Sequence, residues 1–221
     1  MQPRHDNIFY EIFKKLYAFY GPQHWWPAQT RLEMIIGAIL TQNTSWKNVE
    51  KAIRNIKKEG ALKVRCLESI KPAKLAALIR SSGYYNIKAA RVKNFIRYLQ
   101  TAYQGSLSKM FSEPAAFLRD NLLSVKGLGE ETVDSILLYG GKKAIFVVDA
   151  YTRRIFTRHG LVKAHDSYQE IQNTFMRHLA PDVDLFNEYH ALIVALGKNI
   201  CRSKQPACSE CPLRNIRKDK E

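Results

Sequence analysis

Apolar residues recur at three- and four-residue steps along almost the whole chain, and this period constrains the fold more than any other feature. The pattern is clear over residues 46–56 and again over residues 92–103, and it is typical of amphipathic α-helices. Only residues 144–148 resemble a strand, and one strand of that length cannot build a sheet. We therefore predict an all-α fold with short loops.

Local signals place some of the helix boundaries. Pro114 suits the first turn of one helix, and Ser167 with Glu170 has the spacing of a capping box that begins another. The glycines at positions 140 and 141 are expected to end the helix that follows residue 129.

The net charge limits the kinds of partner that the chain can bind. The 221 residues include 35 lysines and arginines against 20 acids, a net charge of +15. This excess points to a polyanionic partner, although a solvated basic surface is the simpler alternative. No apolar stretch reaches the roughly 20 residues of a membrane span, and the N-terminus lacks the apolar core of a signal peptide. We therefore expect a cytoplasmic protein without membrane contact.

Residues 124–149 contain the clearest candidate site. A turn formed by Lys126, Gly127, Leu128 and Gly129 precedes an amphipathic helix, and a single acid, Asp149, follows a short apolar run. A Gly-x-Gly turn exposes backbone N–H groups, and the helix behind it adds the positive end of its dipole. The pattern indicates a phosphate-binding turn with a carboxylate further along the chain.

This segment resembles the helix-hairpin-helix of the endonuclease III superfamily of DNA glycosylases, through residues 123–133 and the pair Val148 and Asp149. Residues 37–44 resemble the early helix and glutamine-bearing loop of that family, and residues 187–211 resemble its last helix and cysteine loop. The resemblance implies two helical lobes, with double-stranded DNA bound in the cleft between them.

The resemblance also implies where the two lobes begin and end. A six-helix lobe is expected over residues 32–143, with the hairpin at about residues 120–140. The second helical lobe is expected to combine residues 1–31 with residues 144–221 and to end in a cysteine loop over residues 201–217.

In that family the acid after the hairpin, here Asp149, drives cleavage of the N-glycosidic bond. Breaking this bond builds positive charge on the deoxyribose, and a nearby carboxylate stabilises that charge or orients the attacking water. An aspartate that precedes a helix is also a common N-cap, and the two roles are compatible.

The position of one further residue bears on strand cleavage. Bifunctional members carry a lysine two residues after the second hairpin glycine, and this lysine forms a Schiff base with the sugar. The same position is Glu131 in this chain, and Lys126 in the turn is better placed for phosphate contact. Because a carboxylate cannot form an imine, we predict weak or absent AP-lyase activity.

The three tryptophans suggest the kind of base that is bound. Trp25 and Trp26 precede the second helix, and Trp46 follows the loop that contains Gln42. Core packing is the simpler explanation for any one of them, but a flipped nucleobase needs flat surfaces, and an alkylated, cationic purine gains a cation–π contact. The arrangement is similar to that of the 3-methyladenine glycosylases of the superfamily, through the WWP and LTQNT motifs, residues 82–89 and Glu131. By that resemblance Trp25 and Trp46 stack on the base, and Gln42 fills the gap left by the flipped nucleotide.

The cysteines raise the question of whether the protein binds an iron–sulfur cluster. Of four cysteines, Cys201, Cys208 and Cys211 match three positions of the family's iron–sulfur loop, and Arg217 occupies the fourth. Four thiolates normally hold a [4Fe–4S] cluster. The alternatives are a cluster with one ligand other than cysteine, a zinc site and a reduced loop without metal.

These features together predict a monofunctional DNA N-glycosylase of base-excision repair, a monomer that removes an alkylated purine of the 3-methyladenine type from double-stranded DNA. One alternative is an endonuclease III-like glycosylase and AP lyase for oxidised pyrimidines. Another, from a different class, is a DNA-binding protein that uses the hairpin without catalysis.

Overall fold

The computed structural model describes residues 7–216, and the regular structure within them is entirely helical. In chain order the twelve α-helices of these residues are α1 (Ile8–Tyr20), α2 (Arg31–Thr41), α3 (Trp46–Lys58), α4 (Val64–Ser69), α5 (Pro72–Leu78), α6 (Tyr85–Tyr103), α7 (Leu107–Ser112), α8 (Ala115–Leu123), α9 (Glu130–Ser135), α10 (Ala150–Arg158), α11 (Tyr168–His178) and α12 (Val183–Asn199). Short 3-10 turns occur at Arg80–Ser82 and Cys208–Glu210, and α9 continues into a π-helical turn at Ile136–Gly140. The prediction of an all-α fold is confirmed.

The apolar run at residues 144–148 is not paired as a strand. Two of its backbone groups bond to side chains instead: the Gln172 amide donates to the Phe146 carbonyl at 2.6 Å, and the Val148 N–H donates to the Tyr168 hydroxyl at 3.3 Å. Residues 145–148 are buried. The segment therefore fixes the chain immediately before Asp149.

The chain forms two compact units. The terminal unit contains Met1–Trp25 and Lys143–Glu221, and the central unit contains Trp26–Lys142. The divisions fall between residues 25 and 26 and between residues 142 and 143. The resemblance implies them between residues 31 and 32 and between residues 143 and 144. Trp26 packs against Trp46 and Tyr139, which accounts for its membership of the central unit.

The central unit is built around α2, whose residues from 32 to 40 are all buried. α2 packs against α3, α6 and α9. The unit contains eight α-helices, α2 to α9, in a stretch that the structure describes in full. The resemblance implies six. Three of the eight, α4, α7 and α9, have six residues each. α9 continues into the π-helical turn, whereas α4 and α7 are too short to show a helical apolar period.

The terminal unit has an aromatic core. Phe146 stacks on Phe175 with ring centroids 4.0 Å apart, and Phe9 and Phe156 also pack against Phe175. The buried Tyr189 on α12 donates its hydroxyl hydrogen to the Phe9 carbonyl on α1 at 2.8 Å. These contacts join α1 to the C-terminal helices, so both ends of the chain contribute to one core.

Local boundary signals give mixed results. The capping box of Ser167 and Glu170 is confirmed at the start of α11. Pro114 is the N-cap of α8, one position before the first turn in which it was expected. Its extended ψ of 143° explains the difference, because the helical conformation begins only at Ala115. None of the helices in residues 7–216 is both long and apolar enough to cross a membrane.

Candidate active site

Asp149 lies at the start of α10 and is its N-cap. Its Oδ1 accepts hydrogen bonds from the Thr152 backbone N–H at 2.7 Å and from the Thr152 hydroxyl at 2.9 Å. Its Oδ2 lies 3.5 Å from Nε2 of His190 on α12. The side chain of Asp149 is 10% exposed, so the carboxylate is fixed by neighbours while one edge still reaches the surface.

The surroundings of Asp149 favour its ionised form. Burial by itself raises the pKa of this carboxyl group, but the hydrogen bond and charge of His190 and the two hydrogen bonds from Thr152 outweigh it. The net effect is a pKa of Asp149 below its ordinary value. Asp149 is therefore a carboxylate at neutral pH, ready to stabilise positive charge, and is not equipped to act as a general acid.

The partners of Asp149 were not identified from the sequence. Thr152 lies three residues after Asp149. An N-cap side chain commonly accepts a hydrogen bond at this spacing, so the capping role of Asp149 could have predicted this partner. His190 comes from α12, forty-one positions along the chain, and no local pattern pairs it with Asp149. The two arginines after Thr152 bind carbonyls of the terminal unit: Arg153 donates to residue 166, and Arg154 donates to residues 197 and 201.

The glycine turn of the central unit joins α8 to α9. Gly127 has φ of +98°, in the left-handed region that favours glycine, and the side chain of Arg91 lies beside it. Lys126 is exposed, and its carbonyl accepts a hydrogen bond from the Asn94 amide on α6 at 2.9 Å. Leu128 is buried and anchors the turn from below, and Gly129 is the N-cap of α9. The turn thus presents an exposed backbone and a lysine.

Replacing Gly127 with alanine is expected to strain this turn. The left-handed backbone costs an L-residue about 1–2 kcal/mol. The added Cβ would lie 2.5 Å from Arg91 Cγ, so Arg91 would have to move. We expect a lower free energy of unfolding in urea and weaker binding to duplex DNA. Gly129→Ala is the comparison, because φ of Gly129 is −97° and its surroundings are open. Equal losses of stability in the two variants would contradict this explanation.

Glu131 is exposed in the first turn of α9. Its neighbour Glu130 lies 3.9 Å from Arg119 of α8, across the hairpin. Lys126 precedes both glycines of the turn, so it does not occupy the position that the resemblance assigns to a Schiff-base lysine. That position is Glu131, which carries a carboxylate.

Two of the three tryptophans lie together in the central unit. Trp26 and Trp46 meet edge to face with ring centroids 5.0 Å apart, and Trp26 also contacts Tyr139 at 5.1 Å. Gly37 of α2 faces both indoles, at contact distances of 3.5 and 3.6 Å from where a Cβ would stand. Tyr139 lies in the π-helical turn after α9, and it was missed from the sequence because its contact with Trp26 joins residues far apart in the chain. Trp25 belongs to the terminal unit, where Lys198 Nζ lies 5.7 Å from its ring centroid.

Gln42 ends α2 in the central unit. Its Nε2 donates to the Thr132 hydroxyl of α9 at 2.7 Å, so the loop expected to fill the DNA stack is tied to the second helix of the hairpin. Asn43 follows with φ of +52°, which turns the chain sharply toward α3.

The cysteine loop does not present a ligand set in the described residues. Cys201 is buried and its sulfur accepts a hydrogen bond from Arg158 at 3.2 Å, whereas Cys208 is exposed. Burial raises the pKa of Cys211; the Leu213 backbone hydrogen bond opposes this effect, and the neighbouring thiols add to it. Within residues 7–216 no three histidine, cysteine or acidic side chains are gathered to hold a metal. Arg217, at the fourth position of the motif, lies outside the described residues. The residues that are described therefore do not fit a four-thiolate cluster.

The chain is similar to known DNA repair proteins. The family model described as "HhH-GPD superfamily base excision DNA repair protein" matches residues 36–181. The chain is 45% identical over 218 residues to a protein of Methanocaldococcus jannaschii provisionally named a DNA repair glycosylase, covering 98% of both chains. It is 32% identical over 182 residues to endonuclease III of Thermotoga maritima, covering 82% of this chain and 80% of the relative. Among solved structures it is similar to the H. pylori 3-methyladenine DNA glycosylase bound to 1,N6-ethenoadenine, with a TM-score of 0.76 and 29% identity over 86% of this chain and 97% of the other.

Proposed function

The chain belongs to the HhH-GPD superfamily of base excision DNA repair proteins and is a DNA glycosylase, and on this premise we propose that it removes alkylated purines from double-stranded DNA without cutting the strand. In this proposal the protein works as a monomer in the cytoplasm. The observation that carries the proposal is Asp149, a largely buried carboxylate that Thr152 and His190 hold in its ionised form directly after the hairpin segment.

Asp149 supplies the electrostatic part of the reaction. As the bond between base and sugar lengthens, positive charge develops on the deoxyribose, and a fixed carboxylate stabilises that charge more strongly than mobile water can. The hydrogen bonds from Thr152 occupy one carboxylate oxygen, Oδ1. The other oxygen, on the side of His190, is available to face the sugar or to orient the attacking water.

An alkylated purine matches the groups that the chain provides. Alkylation at a ring nitrogen gives the base a positive charge, which makes it a good leaving group without protonation by the enzyme. This suits a site whose acid is ionised at neutral pH. A cationic base also gains from contact with indole rings, and Trp26 and Trp46 form an aromatic cluster beside Tyr139. Trp25, the other tryptophan of the WWP motif, is itself proposed to stack on the flipped base. The similarity to a glycosylase for 3-methyladenine supports the same class of substrate.

The remaining central-unit residues are proposed to hold the DNA. Lys126 and the backbone of Gly127 and Gly129 bind a phosphate at the exposed turn. Gln42, at the end of α2, fills the space that the flipped nucleotide leaves. No step of this account uses a metal cluster, and the described cysteine loop supplies three thiols, one fewer than a four-thiolate cluster needs.

The absence of strand cleavage distinguishes the proposal from the activity of an AP lyase. Lyase chemistry of this kind requires a lysine amine that forms an imine with the opened sugar. The corresponding position, Glu131, carries no amine. We expect borohydride to trap no covalent complex between this protein and lesion-containing DNA, with endonuclease III of Thermotoga maritima as the positive control. A trapped adduct would contradict the proposal, and its loss in Lys126→Arg would identify Lys126 as the amine.

A panel of duplexes with one lesion each tests the substrate class. We expect free base from a duplex with 3-methyladenine, and strand breaks only after alkali. Release of oxidised pyrimidines with strand breaks before alkali would favour the endonuclease III-like alternative. Salt-sensitive binding without release of any base would favour a DNA-binding protein without catalysis.

A further inference from the structure

Two lysines of α6 bind the carbonyl groups at the ends of other helices in the central unit. Lys88 Nζ donates to the Leu40 carbonyl at 2.9 Å and to the Ser82 carbonyl at 2.5 Å. Lys93 Nζ donates to the carbonyls of residues 67, 68 and 70, at the end of α4. Both lysines donate hydrogen bonds to backbone carbonyls, but the carbonyls lie at the ends of different helices.

Lys88 is the more unusual of the two because it is buried. Its relative exposure is 1%, and lysine is almost never buried to that extent without a partner. Burial, and then the nearby Arg91, lower the pKa of Lys88 to about 8. At neutral pH the ammonium group is still mainly charged. It lies at the carbonyl end of α2, where the helix dipole favours a cation.

The position of Lys88 bears directly on Gln42. The Leu40 carbonyl that Lys88 binds is two residues before Gln42, at the point where α2 ends. The side chain of Gln42 is held separately by Thr132 at 2.7 Å. The Ser82 carbonyl, the other acceptor of Lys88, ends the 3-10 turn that precedes α6. Lys88 therefore joins the backbone just before Gln42 to the start of α6.

We propose that Lys88 is a positioning residue for Gln42, fixing the end of α2 so that Gln42 enters the DNA stack when the damaged nucleotide leaves it. The inference rests on the function proposed above, in which Gln42 fills that gap. The alternative is that Lys88 only stabilises the fold. Lys93 tests this alternative, because it makes the same kind of contact at a helix end that does not carry Gln42.

The experiment compares Lys88→Met with Lys93→Met as its matched control. Methionine keeps the length of the side chain and removes the donor. Base flipping is followed by the fluorescence of 2-aminopurine next to the lesion, and base release is followed in single turnover. We expect Lys88→Met to slow both by about tenfold or more, since small displacements of a positioning group have effects of this size. Lys93→Met should stay within about twofold of the unmodified protein, because residues without shared partners act independently.

A double substitution separates positioning from general stability. If Lys88 acts through Gln42, then Lys88→Met combined with Gln42→Ala should be no slower than Gln42→Ala alone. If Lys88→Met does not fold, Lys88→Gln replaces it under the same criteria, since glutamine retains an N–H donor for one of the two carbonyls.

Three results would overturn the inference. They are an unchanged rate of flipping in Lys88→Met, equal reductions of the rate in Lys88→Met and Lys93→Met, and a rate of the double variant that falls by the product of the two single reductions. Failure of the proposed function gives a different result. In that case the unmodified protein would release no base from any lesion, while 2-aminopurine fluorescence would still report whether Lys88 affects flipping.

Discussion

Replacing Asp149 with asparagine is expected to reduce the rate of base release at least about 100-fold, the scale seen when an electrostatic contact to a transition state is removed. Asparagine has nearly the same shape and retains an oxygen for the hydrogen bonds from Thr152. It is also as good an N-cap as aspartate, so α10 should keep its start. The affinity for duplex DNA should change little, because the proposed phosphate contacts lie in the hairpin turn. The measurement is single-turnover release of free base, with binding to the same duplex measured in parallel.

Asp182 provides the matched control for this variant. It is the N-cap of α12 and accepts a hydrogen bond from the Leu185 N–H at 2.8 Å, as Asp149 caps α10. Asp182→Asn therefore repeats the same change at a helix start that has no proposed role in catalysis. The rate of base release by Asp182→Asn should match that of the unmodified protein. Base release at the normal rate by Asp149→Asn would contradict the proposed mechanism.

Replacing Asp134 with alanine is expected to lower the free energy of unfolding by about 3–5 kcal/mol, because it breaks a buried ion pair by removing one partner. Asp134 of α9 is fully buried. Its two oxygens accept hydrogen bonds from Arg119 of α8, from Nε at 2.7 Å and from Nη2 at 3.0 Å. The pair joins the two helices of the hairpin, and the remaining guanidinium would be left in a largely buried place. Urea unfolding of the purified protein measures the loss.

Two comparisons test the physical reason for that loss. Glu59→Gln breaks an exposed pair with Lys74, and exposed pairs contribute only about 0–1 kcal/mol. Combining Asp134→Leu with Arg119→Met removes both charges together. This should recover much of the stability, since apolar residues often replace a buried ion pair without loss. A loss for Asp134→Ala as small as that for Glu59→Gln would contradict the explanation.

The sequence predicted the parts of the site that depend on neighbours in the chain. The hairpin turn and its following acid are local, so glycine chemistry and the resemblance were enough to identify Gly127 and Asp149. The helix start at Asp149 was readable for the same reason, because N-cap chemistry concerns residues only three apart. The long helices were readable because each repeats its apolar period several times.

Other contacts of the site join residues that are distant in the chain, and the sequence did not predict them. His190 reaches Asp149 from α12, and Tyr139 contacts Trp26 from the π-helical turn that continues α9. Lys88 was noticed as part of a motif, but its burial against the end of α2 depends on how α6 packs. In each case the informative partner is distant in the chain, and one sequence does not specify which distant residues meet.

The most direct test of the central claim is a time course on one duplex that contains 3-methyladenine. Free base and strand breaks are measured separately at each time, without alkali. The account predicts that free base accumulates with the unmodified protein while the strand stays intact, and that Asp149→Asn releases almost none. Strand breaks that rise together with the free base, or equal release by the two proteins, would contradict it.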